Sequence, residues 1–151
     1  MILYHKGDLI KAFIEGKVGA IAHQSNCFNT MGSGVALAVK YAFPEAYEAD
    51  SVTIKGDKSK LGSFTCAMTT KGPIFNLYGQ YNYGKDGACY TDYEALSDAM
   101  RKMAYVLRMA EHKAPIGFPK IGCGTAGGDW ETVRTLIEIH FGEMEVHIYE
   151  L

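Results

Sequence analysis

The sequence predicts a three-layer α/β/α fold in which helices cover both faces of a central mixed sheet. Two observations support this prediction: short apolar runs alternate with stretches of helical periodicity, and one pair of runs is joined by a tight turn. The chain has 151 residues, which suffices for one well-buried core and is too short for two ordinary domains. We therefore expect residues 1–151 to form a single domain.

The hydrophobic pattern gives the order of the elements. Buried strands are short apolar runs, whereas helices have apolar residues three and four positions apart and begin at capping residues. The clearest helix begins at a capping-box pattern, Thr91 with Glu94. The predicted elements are strands at residues 1–4, 18–22, 63–70, 74–78, 116–119 and 145–149, helices that begin after Asp8, at residue 35, after Thr91 and after Asp129, and a break or restart at Pro44.

Composition argues against several classes of protein. Fifteen basic and 17 acidic side chains give a formal net charge of −2, so bulk charge does not predict nucleic-acid binding. The sequence has no run of 18 apolar residues, and its beginning does not resemble a secretory signal. The four cysteines, at positions 27, 66, 89 and 123, form no C-x-x-C pair. We therefore expect a cytoplasmic protein without a disulfide, a metal, a cofactor or a membrane contact.

Two glycine-rich loops stand at predicted strand-to-helix junctions. The first is Met31-Gly32-Ser33-Gly34-Val35, and the second covers residues 122–128. Ligands of open α/β sheets bind where strands end, and glycine lets successive N–H groups converge on an anion at a helix N-terminus. Two such loops on one crevice predict a diphosphate site made of neutral backbone, which suits the low net charge.

Other interpretations of these loops are available. The first loop lacks the third glycine of the dinucleotide-binding fingerprint, and Gly16-Lys17 lacks the remaining residues of a P-loop. Neither motif is therefore expected to define the site. Either glycine loop could also be an ordinary turn.

An ordered set of motifs from Tyr4 to Leu151 resembles the macrodomain family. The motifs are Gly7-Asp8-Leu9, His23-Gln-Ser-Asn26-Cys27, Met31-Gly-Ser-Gly34-Val-Ala, Pro119-Lys-Ile-Gly122-Cys-Gly124, Asp129-Trp130 and the carboxyl end Val146-His-Ile-Tyr149-Glu-Leu151. Within the family the chain is similar to the small stand-alone branch that contains yeast ADP-ribose 1″-phosphate phosphatase, terminal ADP-ribose glycohydrolase, and phage and bacterial macrodomains. The resemblance implies a macrodomain fold and an ADP-ribose ligand.

The resemblance also implies which residues contact that ligand. Asp8 would accept a hydrogen bond from the adenine amine, Asn26 would hold the distal ribose hydroxyls, and Tyr149 with Leu151 would flank the adenine. Asp8 could instead be only a helix cap, and Asn26 only a turn residue. The expected ligand-binding residues are Asp8, Leu9, Asn26, Met31, Gly32, Ser33, Gly34, Val35, Gly122, Cys123, Gly124, Thr125, Ala126, Gly127, Tyr149 and Leu151.

The expected catalytic residues are His23 and Asp129. His23 matches the histidine of the phosphatase motif H-x-x-N-C and could serve as general acid or base on a terminal phosphate. Asp129 could orient a water molecule or the histidine. A structural histidine and a plain helix cap are the alternatives. A thiolate of Cys27 or Cys123 is disfavoured, because only His23 offers a nearby basic group.

Three functions remain open. The first is hydrolysis of ADP-ribose 1″-phosphate to ADP-ribose and phosphate without a metal. The second is removal of ADP-ribosyl groups from protein or nucleic acid by a water held at Asn26, Asn29 or Asp129. The third is an ADP-ribose-binding module without catalysis.

The glycohydrolase branch differs from this chain at two functional positions. That branch uses a lysine after the hairpin, where this chain has Gly79 or Gln80, and an aspartate in the second loop, where it has Ala126. Lys85 lies several residues beyond the expected lysine position. A lysine mechanism needs an amine held close to the sugar carbon, so these differences favour the phosphatase hypothesis.

Overall fold

Six strands form a single mixed sheet, and the computed structural model describes all residues from 1 to 151. The strands are β1 (Ile2–Lys6), β2 (Ala20–Ser25), β3 (Phe64–Thr69), β4 (Gly72–Tyr78), β5 (Ile116–Phe118) and β6 (Val146–Glu150). They lie side by side in the order β1-β6-β5-β2-β4-β3. All neighbours are parallel except β3 and β4, which form an antiparallel hairpin. The predicted mixed sheet is confirmed.

Five α-helices cover the two faces of this sheet. They are α1 (Leu9–Ile14), α2 (Gly34–Ala42), α3 (Pro44–Ser51), α4 (Tyr93–Met109) and α5 (Trp130–Phe141), with a short 3₁₀ helix at Lys58–Lys60. Successive side chains of β2 point to opposite faces: Ile21 joins a buried cluster with α1, α2 and α3, whereas Ala20 and Ala22 join a cluster with α4 and α5. The predicted three layers are therefore present. None of the helices combines the length and apolar character that a membrane span requires.

The order of the strands creates a crevice at one edge of the sheet. Strands β2 and β5 are neighbours, but the chain leaves β2 for α2 on one face and leaves β5 for α5 on the other. Connections that diverge from adjacent parallel strands leave an opening at the carboxyl ends of those strands. Because β1, β6, β5, β2 and β4 are parallel, the residues that follow them meet at this edge.

Every strand differs from its predicted bounds by one to three residues at one end or both, and two of these differences have an identifiable cause. Strand β2 begins at Ala20 and continues through Ser25, because it pairs with β4 as far as the partners Ser25 and Tyr78. Strand β4 begins at Gly72, so the turn between β3 and β4 consists only of residues 70 and 71. Gly72 has φ of 131°, and a side chain there would collide with the carbonyl of Gly19. The second difference thus depends on a close backbone contact that the local sequence does not reveal.

The helix caps agree with the prediction at two of three helices. Asp8 accepts the Ile10 N–H at 2.9 Å and Asp129 accepts the Thr132 N–H at 3.0 Å, as expected for caps of α1 and α5. The predicted cap of α4 is wrong, because Asp92 rather than Thr91 holds that position. Thr91 is used elsewhere: its hydroxyl donates to the Gly122 carbonyl at 2.7 Å and anchors the second glycine loop.

Candidate functional site

A cavity of about 920 Å³ opens at the carboxyl edge of the sheet. Its lining comes from the segments that follow β1, β2, β4 and β5 and from the end of β6. The volume lies at the upper end of the range typical of small-molecule sites. Both glycine loops line this cavity, so the prediction that they face one crevice is confirmed.

The first glycine loop leads directly into α2. Met31 and Gly34 have φ of 42° and 57°, and Ser33 is the N-cap residue without a side-chain capping bond. The first N–H groups of a helix have no acceptor within the helix. Since residues 31–36 line the cavity, the main-chain donors at this helix end lie beside it.

The second glycine loop folds back on itself before α5. The N–H of Gly128 donates to the carbonyl of Gly122 at 2.8 Å, and Gly122 has φ of 75°. Between these residues, the main-chain N–H groups of Gly124, Thr125 and Ala126 donate to no main-chain carbonyl. Consecutive unpaired amides in such a turn form a concave donor surface suited to an anion.

Fifteen of the 16 expected ligand-binding residues line the cavity, and Gly127 is the exception. Gly127 has φ of 76°, and a Cβ there would lie 2.7 Å from the carbonyl oxygen of Ala88. The loop thus packs against the segment at residue 88 through Gly127. Gly127 therefore does not face the cavity, and its glycine is explained by packing.

Asp8, Tyr149 and Leu151 lie at the end of the cavity formed by β1 and β6. One carboxylate oxygen of Asp8 caps α1, and the other makes no hydrogen bond within the protein. The Tyr149 ring stacks on His5 with a centroid distance of 4.7 Å and an interplanar angle of 16°. This end of the cavity therefore combines an unpaired acceptor with a fixed aromatic wall.

The Asn26 side chain both lines the cavity and holds the loop after β2. Its Oδ1 accepts the Phe28 N–H at 2.8 Å, and its Nδ2 donates to the Thr30 hydroxyl at 2.7 Å. One further lone pair and one further N–H remain for a ligand. Asn29, a weaker candidate from the sequence, does not line the cavity and instead bonds to Thr53 and Lys60.

His23 lies on β2 at the floor of the crevice and is only 2% exposed. Its Nε2 is 2.6 Å from Oδ1 of Asn76, whose Nδ2 donates to the carbonyl of Ala46. Because a carbonyl can only accept, this contact fixes the Asn76 amide, and Nε2 of His23 must be the donor to Oδ1. The neutral ring then carries its lone pair on Nδ1, which has no partner within the protein.

Burial controls the charge of His23. Desolvation lowers its pKa to about 4, and the hydrogen bond to Asn76 opposes this effect only in part. The ring is therefore neutral near pH 7, in the form that can accept a proton on Nδ1.

A buried polar cluster continues the floor beyond His23. Asp50 is 1% exposed; one of its oxygens accepts the Tyr78 hydroxyl at 2.6 Å, and the other is unpaired. Burial raises the pKa of Asp50. Asp50 and Ser25 both line the cavity, and the buried Ser25 hydroxyl also lacks a partner. The residues that line the cavity thus hold four buried polar atoms without partners in the protein, on His23, Gln24, Ser25 and Asp50.

Asp129 and the two loop cysteines are less suited to the predicted chemistry. Asp129 does not line the cavity, and its carboxylate accepts from both the N–H and the hydroxyl of Thr132. Cys27 does not line the cavity, and desolvation raises its pKa. Cys123 does line it, but desolvation, followed by the charge of Asp129, raises its pKa to about 11. Both thiols are protonated near neutral pH.

The sequence analysis missed several cavity residues. Asp50 and Gln80 are buried there by contacts that are distant in sequence, and no local pattern reveals them. Lys85 also lines the cavity, although in sequence it lies several residues beyond the lysine position of the glycohydrolase branch. Lys120 lies within a quoted motif, lines the wall and pairs with Glu150 at 3.3 Å.

The fold and the crevice define an α/β ligand-binding domain. A family model of the Macro domain matches residues 22–137. The chain belongs to the Macro domain family.

Relatives of the chain include both uncharacterised proteins and enzymes. An uncharacterised 17.5 kDa protein of Enterobacteria phage T4 is 36% identical over 99% of this chain and 96% of its own length. A DNA ADP-ribosyl glycohydrolase of Mycobacterium tuberculosis is 30% identical over 95% of this chain, which spans only 40% of that protein. An ADP-ribose 1″-phosphate phosphatase of Candida albicans is 24% identical over 99% of both chains.

Solved structures with the same fold agree with this assignment. A Bacteroides thetaiotaomicron protein of unknown function superposes with a TM-score of 0.84 at 30% identity, covering 100% of this chain and 98% of that one. Thermosipho africanus DarTG, solved in complex with ADP-ribose, matches with a TM-score of 0.75 at 18% identity, covering 98% of this chain and 41% of that one.

Proposed function

We propose that this chain binds ADP-ribose in the crevice between its two glycine loops. The observation that carries the proposal is that two sets of unpaired main-chain N–H groups face one cavity of about 920 Å³. Such groups bind phosphate oxygens without a positively charged side chain. The ADP-ribose complex of the related Thermosipho africanus fold supports this choice of ligand.

In the proposed complex, ADP-ribose lies along the carboxyl edge of the sheet. The diphosphate lies between residues 31–35 and 122–126, and the adenine lies against Tyr149 with its amine donating to Asp8. The distal ribose then lies near Asn26, whose amide retains one donor and one acceptor. Leu151 covers the outer side of the adenine.

The proposed activity is hydrolysis of ADP-ribose 1″-phosphate, with His23 as the catalytic base. Nδ1 is the unpaired, lone-pair-bearing atom of a ring held by Asn76, and His23 lines the cavity. A ring with a pKa of about 4 is a weak base in the empty site. A phosphate dianion bound nearby raises that pKa by charge attraction and so strengthens the base when substrate is present.

The chemical step needs only water as a second reactant. His23 Nδ1 accepts a proton from a water molecule while the water oxygen bonds to phosphorus and the bond from phosphorus to the C1″ oxygen breaks. The proton then passes to the departing sugar oxygen. The products are ADP-ribose and inorganic phosphate. In this scheme Asp129 supports the second loop through its cap of α5 and does not touch substrate.

Phosphate release tests this proposal. We expect purified protein to liberate phosphate from ADP-ribose 1″-phosphate, and His23→Gln to lose that activity at least about 100-fold, as general-base removal typically does. Calorimetry should find ADP-ribose affinity retained in the variant, because the amide of glutamine can still donate to Asn76. Activity that is undiminished in His23→Gln would overturn the assignment of the base. ADP-ribose binding without any phosphate release would favour a non-catalytic module.

Removal of ADP-ribosyl groups from nucleic acid is a second candidate. It is favoured by Lys85, whose amine-bearing side chain lines the cavity, and by the 30% identical Mycobacterium tuberculosis relative. Water would then replace the attached base or protein group at C1″, releasing free ADP-ribose. Release of ADP-ribose from a modified DNA strand, without phosphate release from the small substrate, would support this candidate over the first.

A further inference from the structure

A chain of hydrogen bonds runs beneath the crevice from His23 to Asp50. Nε2 of His23 donates to Oδ1 of Asn76 at 2.6 Å, and Nδ2 of Asn76 donates to the Thr65 hydroxyl at 3.0 Å. The Thr65 and Tyr78 hydroxyls are 3.0 Å apart, and the Tyr78 hydroxyl is 2.6 Å from Oδ1 of Asp50. The five side chains come from β2, β3, β4 and α3. They join these four elements into one polar network.

The positions of the protons give this chain one direction. Thr65 accepts from Asn76, so its own proton is directed to Tyr78, which in turn donates to Oδ1 of Asp50. In the opposite direction, the Thr65 hydroxyl would have no acceptor. A proton carried by Asp50 therefore lies on Oδ2, just as the lone pair of the neutral His23 ring lies on Nδ1. Both of these end atoms are buried and have no partner within the protein.

The strand register places the two ends of the chain at different depths. Where β2 pairs with β4, His23 lies opposite Asn76 and Ser25 lies opposite Tyr78. Because Asp50 contacts Tyr78, it lies at the level of Ser25, two residues nearer the carboxyl edge than His23. Two residues of a strand span roughly 7 Å. Both ends line the cavity, with His23 deeper and Asp50 nearer the opening.

This order along β2 suits the displacement of a phosphate group. Asn26, which is proposed to hold the distal ribose, is one residue nearer the opening than Ser25. A phosphate group on that ribose then lies between His23 on its deep side and Asp50 on the side of the sugar. The buried, unpaired Ser25 hydroxyl shares the sheet face of His23 and can donate to a phosphate oxygen. Attacking and departing oxygens lie roughly in line in phosphoryl transfer, which this order allows.

We infer that Asp50 is the general acid of the proposed hydrolysis and protonates the departing C1″ oxygen. The inference rests on the proposed function and adds a second catalytic residue to it. Oδ2 of Asp50 gives its proton to the C1″ oxygen as the bond from phosphorus to that oxygen breaks, while Nδ1 of His23 takes a proton from the attacking water. The proton on His23 then passes through water to Asp50, which restores both residues. The products remain ADP-ribose and inorganic phosphate.

The surroundings of Asp50 favour a carboxyl group that can carry this proton. Burial raises its pKa, whereas the hydrogen bond from Tyr78 and the charge of Lys60 oppose this effect only in part. The Lys60 amine donates to Asn29 and Thr53 and forms no ion pair with Asp50. A phosphate dianion bound nearby raises the pKa of Asp50 further by charge repulsion.

A change of leaving group tests this role. Sulfur in place of the bridging C1″ oxygen departs as a stable thiolate, which does not need a general acid. We expect Asp50→Asn to lower kcat at least about 100-fold on ADP-ribose 1″-phosphate but less than about fivefold on the sulfur analogue. His23→Gln should slow both substrates, because the attacking water must still lose a proton. An equal loss on both substrates in Asp50→Asn, or no loss on either, would overturn the inference.

Asp57→Asn is the matched control. The Asp57 carboxylate accepts the Ser59 N–H at the short 3₁₀ helix and does not line the cavity. Asparagine keeps this cap while removing the same charge, so kcat should stay within about twofold on both substrates. Asparagine at position 50 can still accept from Tyr78, and thermal melting shows whether that variant is folded.

The parent protein supplies a second measurement that needs no substitution. As pH rises and Asp50 loses its proton, kcat should fall for the oxygen substrate and not for the sulfur analogue. His23 acts on both substrates, so its titration does not cause such a difference. Parallel pH profiles for the two substrates would overturn the inference. Release of phosphate from neither substrate would instead overturn the proposed function.

Discussion

The middle of the crevice and its floor differ in the kind of group they present. The middle consists of main-chain amides from the two glycine loops, which carry no titratable charge. The floor consists of buried side chains, His23 and Asp50, whose pKa values are shifted mainly by desolvation. The middle thus depends on backbone geometry, and the floor depends on protonation.

Under the proposed function, this difference makes binding and chemistry separable in the molecule. Changes of backbone shape in the loops should abolish binding, whereas changes at His23 should alter chemistry and pH dependence with the crevice intact. A floor that titrates also makes the folded state sensitive to acid, because charging a buried histidine is costly. The following substitutions test the two regions separately.

The largest effect is expected from Gly128→Ala in the second loop. A Cβ at Gly128 would collide with the Gly122 carbonyl, which its own N–H binds at 2.8 Å. The loop can then no longer turn its amides toward the cavity. We expect ADP-ribose affinity to fall at least about 300-fold, because several hydrogen bonds to charged oxygens are lost together.

Gly124→Ala is the matched control for that substitution. A Cβ at Gly124 meets no atom within 4 Å and its φ is not positive, so the loop can keep its shape. Because the loop and the Gly124 amide stay in place, its ADP-ribose affinity should fall much less than that of Gly128→Ala. Thermal melting of both variants distinguishes local loss of the loop from unfolding. Equal affinities in the two variants would contradict a geometric role for the loop.

A pH-dependent loss of stability is expected from His23. Its pKa is about 4 in the folded protein and about 6.5 in the unfolded chain, so the unfolded chain binds more protons between these values. The free energy of unfolding should therefore fall as pH drops from 6.5 to 4, by about 3 kcal/mol from this group. Urea unfolding at several pH values measures it.

His23→Gln isolates this contribution. Glutamine does not titrate and can still donate to Asn76, so its unfolding free energy should change less over the same pH range. Above pH 6.5, the difference in unfolding free energy between parent and variant should no longer change with pH. Parallel pH profiles for the two proteins would mean that His23 is not the titrating group.

A smaller loss of affinity is expected from Asp8. Asp8→Asn keeps a good helix cap and removes the carboxylate acceptor, so ADP-ribose affinity should fall by about 1–3 kcal/mol. Asp8→Ala should lose similar affinity and also about 1 kcal/mol of stability from the missing cap. An inosine analogue of ADP-ribose lacks the exocyclic amine and should bind parent and Asp8→Asn with similar Kd. If the parent binds that analogue clearly more tightly than Asp8→Asn does, the proposed contact is excluded.

The smallest effect is expected from Cys123→Ser. The Cys123 thiol has its pKa raised to about 11 and is protonated near pH 7, so it cannot supply a thiolate. Phosphate release and ADP-ribose affinity should both stay within about threefold of the parent. A loss of turnover of more than 100-fold, with ADP-ribose affinity unchanged, would make the cysteine the nucleophile and reverse this assignment.

The sequence pattern predicted those features that depend on interactions between residues close together in the chain. The caps Asp8 and Asp129, the restart at Pro44 and the glycine loops follow from turn and helix preferences, and the structure contains them. Residues 44–62 were less predictable. There, Asp50 and Lys60 are charged yet buried, because Tyr78 and Asn29 satisfy them from distant parts of the chain.

Two features that local pattern placed wrongly share one cause, which is competition from a partner distant in sequence. Thr91 fits a capping box locally, but its hydroxyl is used by the Gly122 carbonyl and Asp92 caps the helix. Gly127 fits a phosphate loop locally, but it is the point where that loop contacts Ala88. Sequence spacing alone does not contain the contacts of Thr91 and Gly127. Asp129 differs, because its carboxylate is held by Thr132 in the local cap that the sequence predicts, and it does not line the cavity.

Calorimetric titration with ADP-ribose tests the central claim that the two main-chain loops form a diphosphate site. The account predicts a single site per chain, an affinity that survives His23→Gln, and loss of binding in Gly128→Ala but not in Gly124→Ala. A flat titration of the parent protein, or an affinity that Gly128→Ala leaves unchanged, would contradict it.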